Sequence, residues 1–431
     1  MLRDILSLLD LDESKTDISD AIVENENEII IFAEIKKSVS CSCPECGQVG
    51  RIKDKLEYDI NHTFSNFHSK KLILHLTKRK FVCKDCKKYW VQEMPLIKKG
   101  STFTLSVAHE IINSFKETIT FTKIAERFGL SVSRVIQLFD ENVKANRTAF
   151  RKCVCLDETH FASSKYNKYI AVFSNGITGE IIDILQSRKY DYLAEYLSKI
   201  SEIERNTVKF FTCDMNIYFR KIAKKFFKKA VIIVDFFHVT KLFTKIVNDA
   251  RIKYMKTFEH DSKDYKFLKK YRKFFLMNNE NLDKVDITFS DTKGHQTDMR
   301  GALIMVARND PSLFSSYMLY REFCDLFEDR KGLSKMQVEK NLEFIINKAN
   351  NSLYKPLVTL SETLLEWSEE IINAYSDVNE LKVSNAIAES NNNRIDKLIH
   401  ISNGYKNFWR MRKRVLFIDR NTKKNNKNGE E

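Results

Sequence analysis

The chain has 431 residues, with 72 Lys+Arg against 58 Asp+Glu and a formal net charge of +14. That length exceeds one compact core and predicts about two to four structural units, while 43% hydrophobic residues with only 4 Pro and 11 Gly exclude a largely disordered chain. The positive balance favours a polyanionic partner, because neutralising phosphates releases condensed counterions. No apolar run approaches the ~20 residues that a membrane helix needs. The opening MLRDILSLLDLDES is acidic, without a positive start or a cleavage site, so neither a membrane partner nor a secretory leader is expected. Nine Cys, an odd number, fit metal ligation and buried thiols better than a disulfide framework. A cytoplasmic location is expected.

Residues 1–100 predict a zinc-binding module. A short helix and a strand-like IVENENEIIIFAEI precede Cys43-Pro-Glu-Cys46, and a hairpin-like stretch ending LILHLTKRKFVC leads to Cys83-Lys-Asp-Cys86. Each CxxC turn presents two thiolates to one tetrahedral metal, so Cys43, Cys46, Cys83 and Cys86 together make a closed set for one structural zinc ion. The long spacer is that of a zinc ribbon. Cys41 creates a register ambiguity, but its spacing to Cys43 does not suit a knuckle.

Residues 101–150 predict a helix-turn-helix DNA-binding region. In FTKIAERFGLSVSRVIQLF, Ile124, Ala125 and Phe128 form one apolar face, Gly129 suits a left-handed turn, and Ser131 caps a second helix. That helix is expected to turn Val132, Val135, Ile136 and Phe139 inward. Ser133, Arg134 and Gln137 then face a major groove.

Residues 151–240 alternate strands (CVCLD, YIAVFS, EIIDILQ, VKFFTCD, AVIIVDF) with helices (YDYLAEYLSKI, YFRKIAKKFF). Asp157 and Asp214 end apolar strands. In a ribonuclease-H-type sheet the first strand lies between the second and fourth, which sets those ends side by side. Carboxylates so placed repel unless a divalent cation bridges them, and magnesium accepts such ligands while keeping substrate phosphates. Glu158 follows Asp157 directly and must face the other way along a strand; it reads as a solvated or outer group. The alternative for Asp214 is an N-cap of the next helix, and Asp235 is the second choice for the second metal position. His238 reads as a structural histidine.

Residues 241–378 are helical in pattern and form an insertion. Residues 379–420 return to complete the core, with a helix after Ser384 carrying Glu389 as a third acidic ligand. The Asn-rich surroundings SNAIAESNNNRIDKLI, and Arg394, Lys397, Lys406, Arg410, Arg412 and Lys413, are expected to contact DNA phosphates. Residues 421–431 read as a disordered tail. The fold class is multidomain α+β: zinc ribbon, helix-turn-helix, and a ribonuclease-H-like mixed-sheet core with a large helical insertion.

LDETHF, KYIAVFSNGITGEIIDILQSR, CDMNIYFRKIAKKFFKKAVIIVDFFHVTKL, SNAIAESNNNRIDKLIHISNGYKNFWRMRKRVLF and the flanking CPECG and KRKFVCKDCKKYW resemble the ISL-three family of bacterial insertion-sequence transposases. The resemblance runs from about Cys43 to Phe417. It implies an Asp–Asp–Glu triad at Asp157, Asp214 and Glu389, two magnesium (or manganese) ions, and double-stranded DNA partners, namely terminal inverted repeats and target DNA. It also implies end cleavage, strand transfer, and nucleoid association in a bacterial cytoplasm. A homodimer on DNA is expected because two element ends are handled together. Phe236 departs from the family's usual basic residue after Asp235. The alternative is a non-catalytic zinc and helix-turn-helix DNA-binding regulator derived from a transposase.

Overall fold

The computed structural model describes residues 14–25, 28–36, 41–61, 71–93, 102–162, 168–290, 296–327, 333–379, 383, 385–402 and 404–427. The expected N-terminal helix within residues 1–13, the helix start at Ser384 and residues 428–431 lie outside them. The chain divides into two compact units, Met1–Asn146 with Leu398–Glu431, and Arg147–Lys397.

In the first unit, β1 (Thr16–Asn25), β2 (Glu28–Ile35), β3 (Arg51–Asn61), β4 (Lys71–Val82) and β5 (Tyr89–Val91) form one sheet ordered β1-β2-β4-β3, with β5 also on β4. IVENENEIIIFAEI is not one strand but part of a β1–β2 hairpin in which Asn25 pairs with Glu28. The polar ENEN run breaks the apolar alternation there, and Asn favours turns. Alternate positions on β4, Leu72, Leu74 and Leu76, are buried with Ile31 and Ala33 of β2, as the two-residue strand period requires.

Helices α1 (Leu105–Ser114), α2 (Phe121–Phe128) and α3 (Val132–Asn142) follow. Thr120 Oγ1 and Ser131 Oγ accept from the third backbone N–H of α2 and α3, and Gly129 takes φ 61° between the helices, where a Cβ would strain the backbone. Phe115, Phe121 and Phe139 meet at centroid distances of 5.2–6.0 Å. Val135, Leu138 and Phe139 supply the buried face of α3. Val132 does not: it is 38% exposed, because as the first residue of α3 it overhangs the core.

The C-terminal helix Phe408–Lys427 belongs to this unit, not to completion of the second. Arg414 is the reason. It is fully buried, donates to the carbonyls of Glu117 and Ile119 at 3.0 and 2.9 Å, and lies 4.7 Å from the Phe121 ring centre. The helix also continues through residues 421–427, expected to be tail, with Asn421 and Thr422 side chains bonding back to Phe417 and Ile418 carbonyls.

In the second unit, β6 (Cys153–His160), β7 (Tyr169–Asn175), β8 (Ile181–Leu185), β9 (Phe210–Cys213) and β10 (Val231–Val234) form a sheet ordered β10-β9-β6-β7-β8. β6 pairs parallel with β9, and β9 with β10, whereas β7 runs antiparallel to both neighbours. The first strand of this sheet therefore lies between the second and the fourth, as expected. β8 and β9 are buried at every position, the pattern of strands covered on both faces. Helices α4 (Tyr190–Ser198), α5 (Glu202–Arg205) and α6 (Ile217–Phe226) follow β8 and β9, and Leu193, Leu197, Phe219 and Ile222 pack with Val154, Leu156 and Phe211 on one face.

A helical stretch runs from α7 (Phe236–Met255) to the helix Ser368–Tyr375, broken by a two-residue ladder between Phe289–Ser290 and Gln296–Thr297. Its own core includes Phe243, Tyr317, Tyr320, Phe323 and Trp367. Arg220 of α6 ties it to the sheet unit, lying 4.1 Å from the Trp367 ring centre and bonding Glu366 at 2.8 Å. The helix Ala386–Ile401 then covers the opposite sheet face. Asn385 bonds Thr212 of β9, Asn391 bonds Ser174 of β7, and Asp396 accepts from Thr159 of β6. These asparagines anchor the helix. Their amides are spent inside the protein, not held out for phosphates.

Candidate functional site

The cysteine quartet closes as the spacing predicts. Cys43 and Cys86 sulfurs lie 3.5 Å apart, Cys46 and Cys83 3.5 Å, and Cys46 and Cys86 3.7 Å. A tetrahedral zinc with ~2.3 Å bonds sets its sulfurs about 3.8 Å apart, so the four residues fit that ion. The two knuckles repeat one geometry. Cys43 N–H bonds the Gln48 carbonyl at 2.8 Å and Cys83 N–H the Lys88 carbonyl at 2.9 Å. The residue after each second cysteine, Gly47 or Lys87, has positive φ. Lys88 also bonds Glu45 across the knuckles at 2.6 Å. Crowding splits the thiols: backbone N–H groups of Cys86 and Asp85 draw Cys83 down to about 7. Cys46 is pushed up to about 12 by its sulfur neighbours, Cys83 foremost, although the Gln48 N–H opposes it. Cys41 stays outside the cluster. Gly50 lies so close beneath Trp90 that an added Cβ would come within 2.3 Å of the indole.

Register builds the acidic site. Leu156 of β6 pairs with Cys213 of β9, and Val234 of β10 pairs with the same Cys213. Asp157, Asp214 and Asp235 are each the next residue, so three aspartates stand in one row across three parallel strands; Asp214 and Asp235 directly follow β9 and β10, whereas Asp157, expected to end its strand, lies inside β6, which pairs with β7 as far as His160. Neighbouring strands lie roughly 4.8 Å apart. Burial pushes Asp157 up to about 7, with Asp214 the strongest charge adding to it. Burial likewise pushes Asp214 up to about 6, with Glu158 its strongest unfavourable neighbour. Asp214 Oδ1 is buried without a hydrogen-bond partner. Two carboxyls held toward protonation by burial and mutual repulsion suit a divalent cation that displaces their protons.

Asp235 is otherwise engaged. It caps α7, accepting from Phe237 N–H at 3.3 Å, and its other oxygen lies 3.1 Å from His238 Nδ1. That bond is the main cause of the raised His238 pKa. The structural reading of His238 agrees with this contact, though Asp214 and Asp157 also act on it.

Glu158 is not solvated. Its side chain is 18% exposed and paired with Arg188, and its Oε2 is buried without a partner. Glu158 and Asp157 take opposite faces: Asp157 meets Asn392, whose amide donates to Oδ2 at 2.9 Å, while Glu158 shares a cleft with Arg188, Tyr190 and Asp214. Strand alternation anticipates the split; nothing local in the sequence announces Arg188 or Asn392 as partners.

Glu389 sits one turn before Asn392 on the helix that crosses the sheet. Its side chain is exposed and makes no hydrogen bond or ion pair among the described residues. The cysteine quartet is the one cluster of three or more potential ligands there whose donor atoms lie within 4.8 Å of each other. Among the expected DNA-contacting residues, Ser133 and Gln137 are exposed. Arg134 bonds Gln137 at 2.9 Å, and Gln137 bonds Glu141 at 2.8 Å. Arg410 pairs with Asp140 at 2.6 Å, Arg412 with the Ala145 carbonyl at 3.1 Å, and Arg394 with Asn391 at 3.3 Å. Lys397 and Lys406 are exposed and Lys413 is half-buried.

No helix among the described residues is long and apolar enough to cross a membrane. Residues 154–415 match the ISL3 family model described as transposase. Residues 40–86 match the model described as the zinc-finger of transposase IS204/IS1001/IS1096/IS1165. No curated protein matches the chain. The first match takes in Asp157, Asp214, Asp235 and the helix of Glu389, the second spans both cysteine knuckles, and on these grounds the chain belongs to the ISL3 family of transposases.

Proposed function

We propose that the chain binds the terminal inverted repeats of an insertion sequence, cleaves the element ends with divalent metal, and transfers the freed strands into target DNA. The observation that carries this is the neighbouring register of Asp157 and Asp214 on the parallel β6–β9 pair, both half-buried and both raised in pKa. The strand order, with β7 alone antiparallel, supports a ribonuclease-H-like core. The helical stretch between β10 and the Glu389 helix is its insertion.

Asp157 and Asp214 hold two magnesium (or manganese) ions in this reading, and Glu389 joins from its helix. Asp157, Asp214 and Glu389 would hold the metal, which would supply activation of the attacking oxygen and stabilisation of the leaving one. The protein's own part is positional. Asn392 orients Asp157, and the half-buried setting of both aspartates strengthens charge interactions with the phosphate. Water attacks the end phosphodiester in line and displaces a 3′-oxygen as a free 3′-hydroxyl; that hydroxyl then attacks a target phosphodiester and displaces a target 3′-oxygen.

The capped α2–α3 pair, with exposed Ser133 and Gln137, supports the helix-turn-helix reading, and the zinc unit joins it in recognising the repeats. Lys397, Lys406 and Lys413 remain candidates for backbone contacts; Arg394, Arg410 and Arg412 are held by protein partners. A homodimer brings two ends together, on DNA within a bacterial nucleoid.

The exposure of Glu389 favours keeping a second reading, a DNA-binding regulator without catalysis. Cleavage of labelled element ends with magnesium separates the two. Cleavage by the parent that is lost in Asp157→Ala and Glu389→Ala supports the enzyme; no cleavage by the parent supports the regulator, and cleavage that survives both substitutions overturns the assignment of these carboxylates.

A further inference from the structure

Beside Glu158 of β6 and the C-terminal end of β9 lies a cleft of about 710 Å³. Its lining mixes carboxylates (Glu158, Asp191, Asp214), cations (Arg188, Lys189) and tyrosines (Tyr190, Tyr218). Glu158 and Asp214 each have a buried oxygen that has no partner. The Arg188 guanidinium is held by Glu158 and by the Tyr169 ring 4.5 Å away, so its position is set without substrate.

Tyr218 is the odd residue. Its neighbour Phe219 is fully buried, yet the Tyr218 ring is 54% exposed at the edge of a polar cleft. The start of α6 holds it there, with Tyr218 N–H bonded to Asn216 Oδ1 at 2.9 Å. An exposed aromatic face, two cations and the Asp214 carboxylate in one cavity of this size match the parts of a nucleotide and its reacting phosphate. The base stacks on the ring, the phosphate meets the cations, and the reacting phosphodiester reaches Asp214.

We infer that this cleft is a nucleotide subsite, binding the nucleotide next to the reacting phosphate with its base on Tyr218 and its outer phosphate at Arg188 and Lys189. The inference rests on the nuclease reading of Asp157 and Asp214 and adds a substrate contact to it.

The test uses the full-length protein without added magnesium, and single-stranded oligonucleotides carrying 2-aminopurine as the 3′-terminal base or in mid-strand. The parent should quench the terminal probe severalfold more than the mid-strand one. Tyr218→Phe should keep that difference, and Tyr218→Ala should abolish it and weaken binding about tenfold. Lys189→Ala should lower the salt dependence of binding by about 0.7 in slope. Equal quenching at both positions, or quenching by Tyr218→Ala that equals the parent's, overturns the subsite. A Tyr218-dependent terminal quench without metal-dependent cleavage by the parent would keep the subsite and remove the nuclease reading.

Discussion

Asn392 Nδ2 donates to Asp157 Oδ2 at 2.9 Å and to the Glu158 carbonyl at 3.2 Å, so one amide joins the Glu389 helix to the aspartate of β6. Residues three apart on a helix share a face, which brings Glu389 to the same side of the helix one turn earlier. Partners of this kind commonly change metal affinity 10–100-fold when removed. Asn392→Leu should therefore weaken manganese binding about tenfold or more, read by electron paramagnetic resonance of the free ion. Parent-like affinity in that variant would show that Asn392 only fills space.

Asp214 and Asp235 occupy equivalent register steps but do different work, and substitution should separate them. Asp214→Asn should abolish manganese binding. Asp235→Asn should leave it within a fewfold of the parent and cost little at the α7 cap, because an Asn side-chain oxygen caps about as well as that of Asp. It should also lower the His238 pKa, followed by imidazole NMR shifts. The reverse pattern would move the second metal position to Asp235.

Raised carboxyl pKa values have a definite sign in stability. A buried acid that holds its proton more tightly when folded stabilises the fold at low pH and loses that contribution as pH rises. For Asp157 and Asp214 the loss runs from about 4, the ordinary value, to about 7 and about 6 respectively. His238, raised chiefly by Asp235, adds stability below its ordinary value that is lost as pH rises past its folded one. Magnesium held by Asp157 and Asp214, as proposed, would replace the two acidic protons, so its stabilising effect should be largest above pH ~7 and fade below pH ~5. Thermal melts with and without magnesium across that range measure this; a shift independent of pH argues against both aspartates as ligands.

The zinc knuckles should govern the sheet that joins them. Cys83→Ser should release one zinc per chain and loosen β3–β5, because ligand binding and folding are one equilibrium in such modules. Trp90 reports it, stacked 5.5 Å from Phe81. Its fluorescence should shift to the red, while hydrogen exchange in β6–β10 stays protected. Gly50→Ala should overpack the Trp90 contact at a cost of about 1–3 kcal/mol while retaining the metal. Retention of zinc in Cys83→Ser would contradict the quartet.

Much of this was legible in local pattern. Two CxxC pairs, five short apolar strands with Asp214 directly after one of them, and Gly129 between two capped helices all follow from rules that act over a few residues; the extension of β6 past Asp157 to His160 does not, because pairing with β7 sets it. Patterning fails where long-range packing decides. Val132 fits the apolar spacing of α3 yet overhangs its core. Arg414 resembles any other cation of a basic helix, but carbonyls at Glu117 and Ile119, almost 300 positions earlier, bury it.

By itself the sequence determined which chemistry was available: thiols in knuckle spacing, carboxyls at strand ends, and a helix rich in Asn around Glu389. Tertiary structure decided which of those groups meet. Strand register set Asp157 beside Asp214, α7 drew Asp235 into a cap, and the asparagines became anchors. Side-chain periodicity tells a residue which face it is on, but only the fold supplies what covers that face.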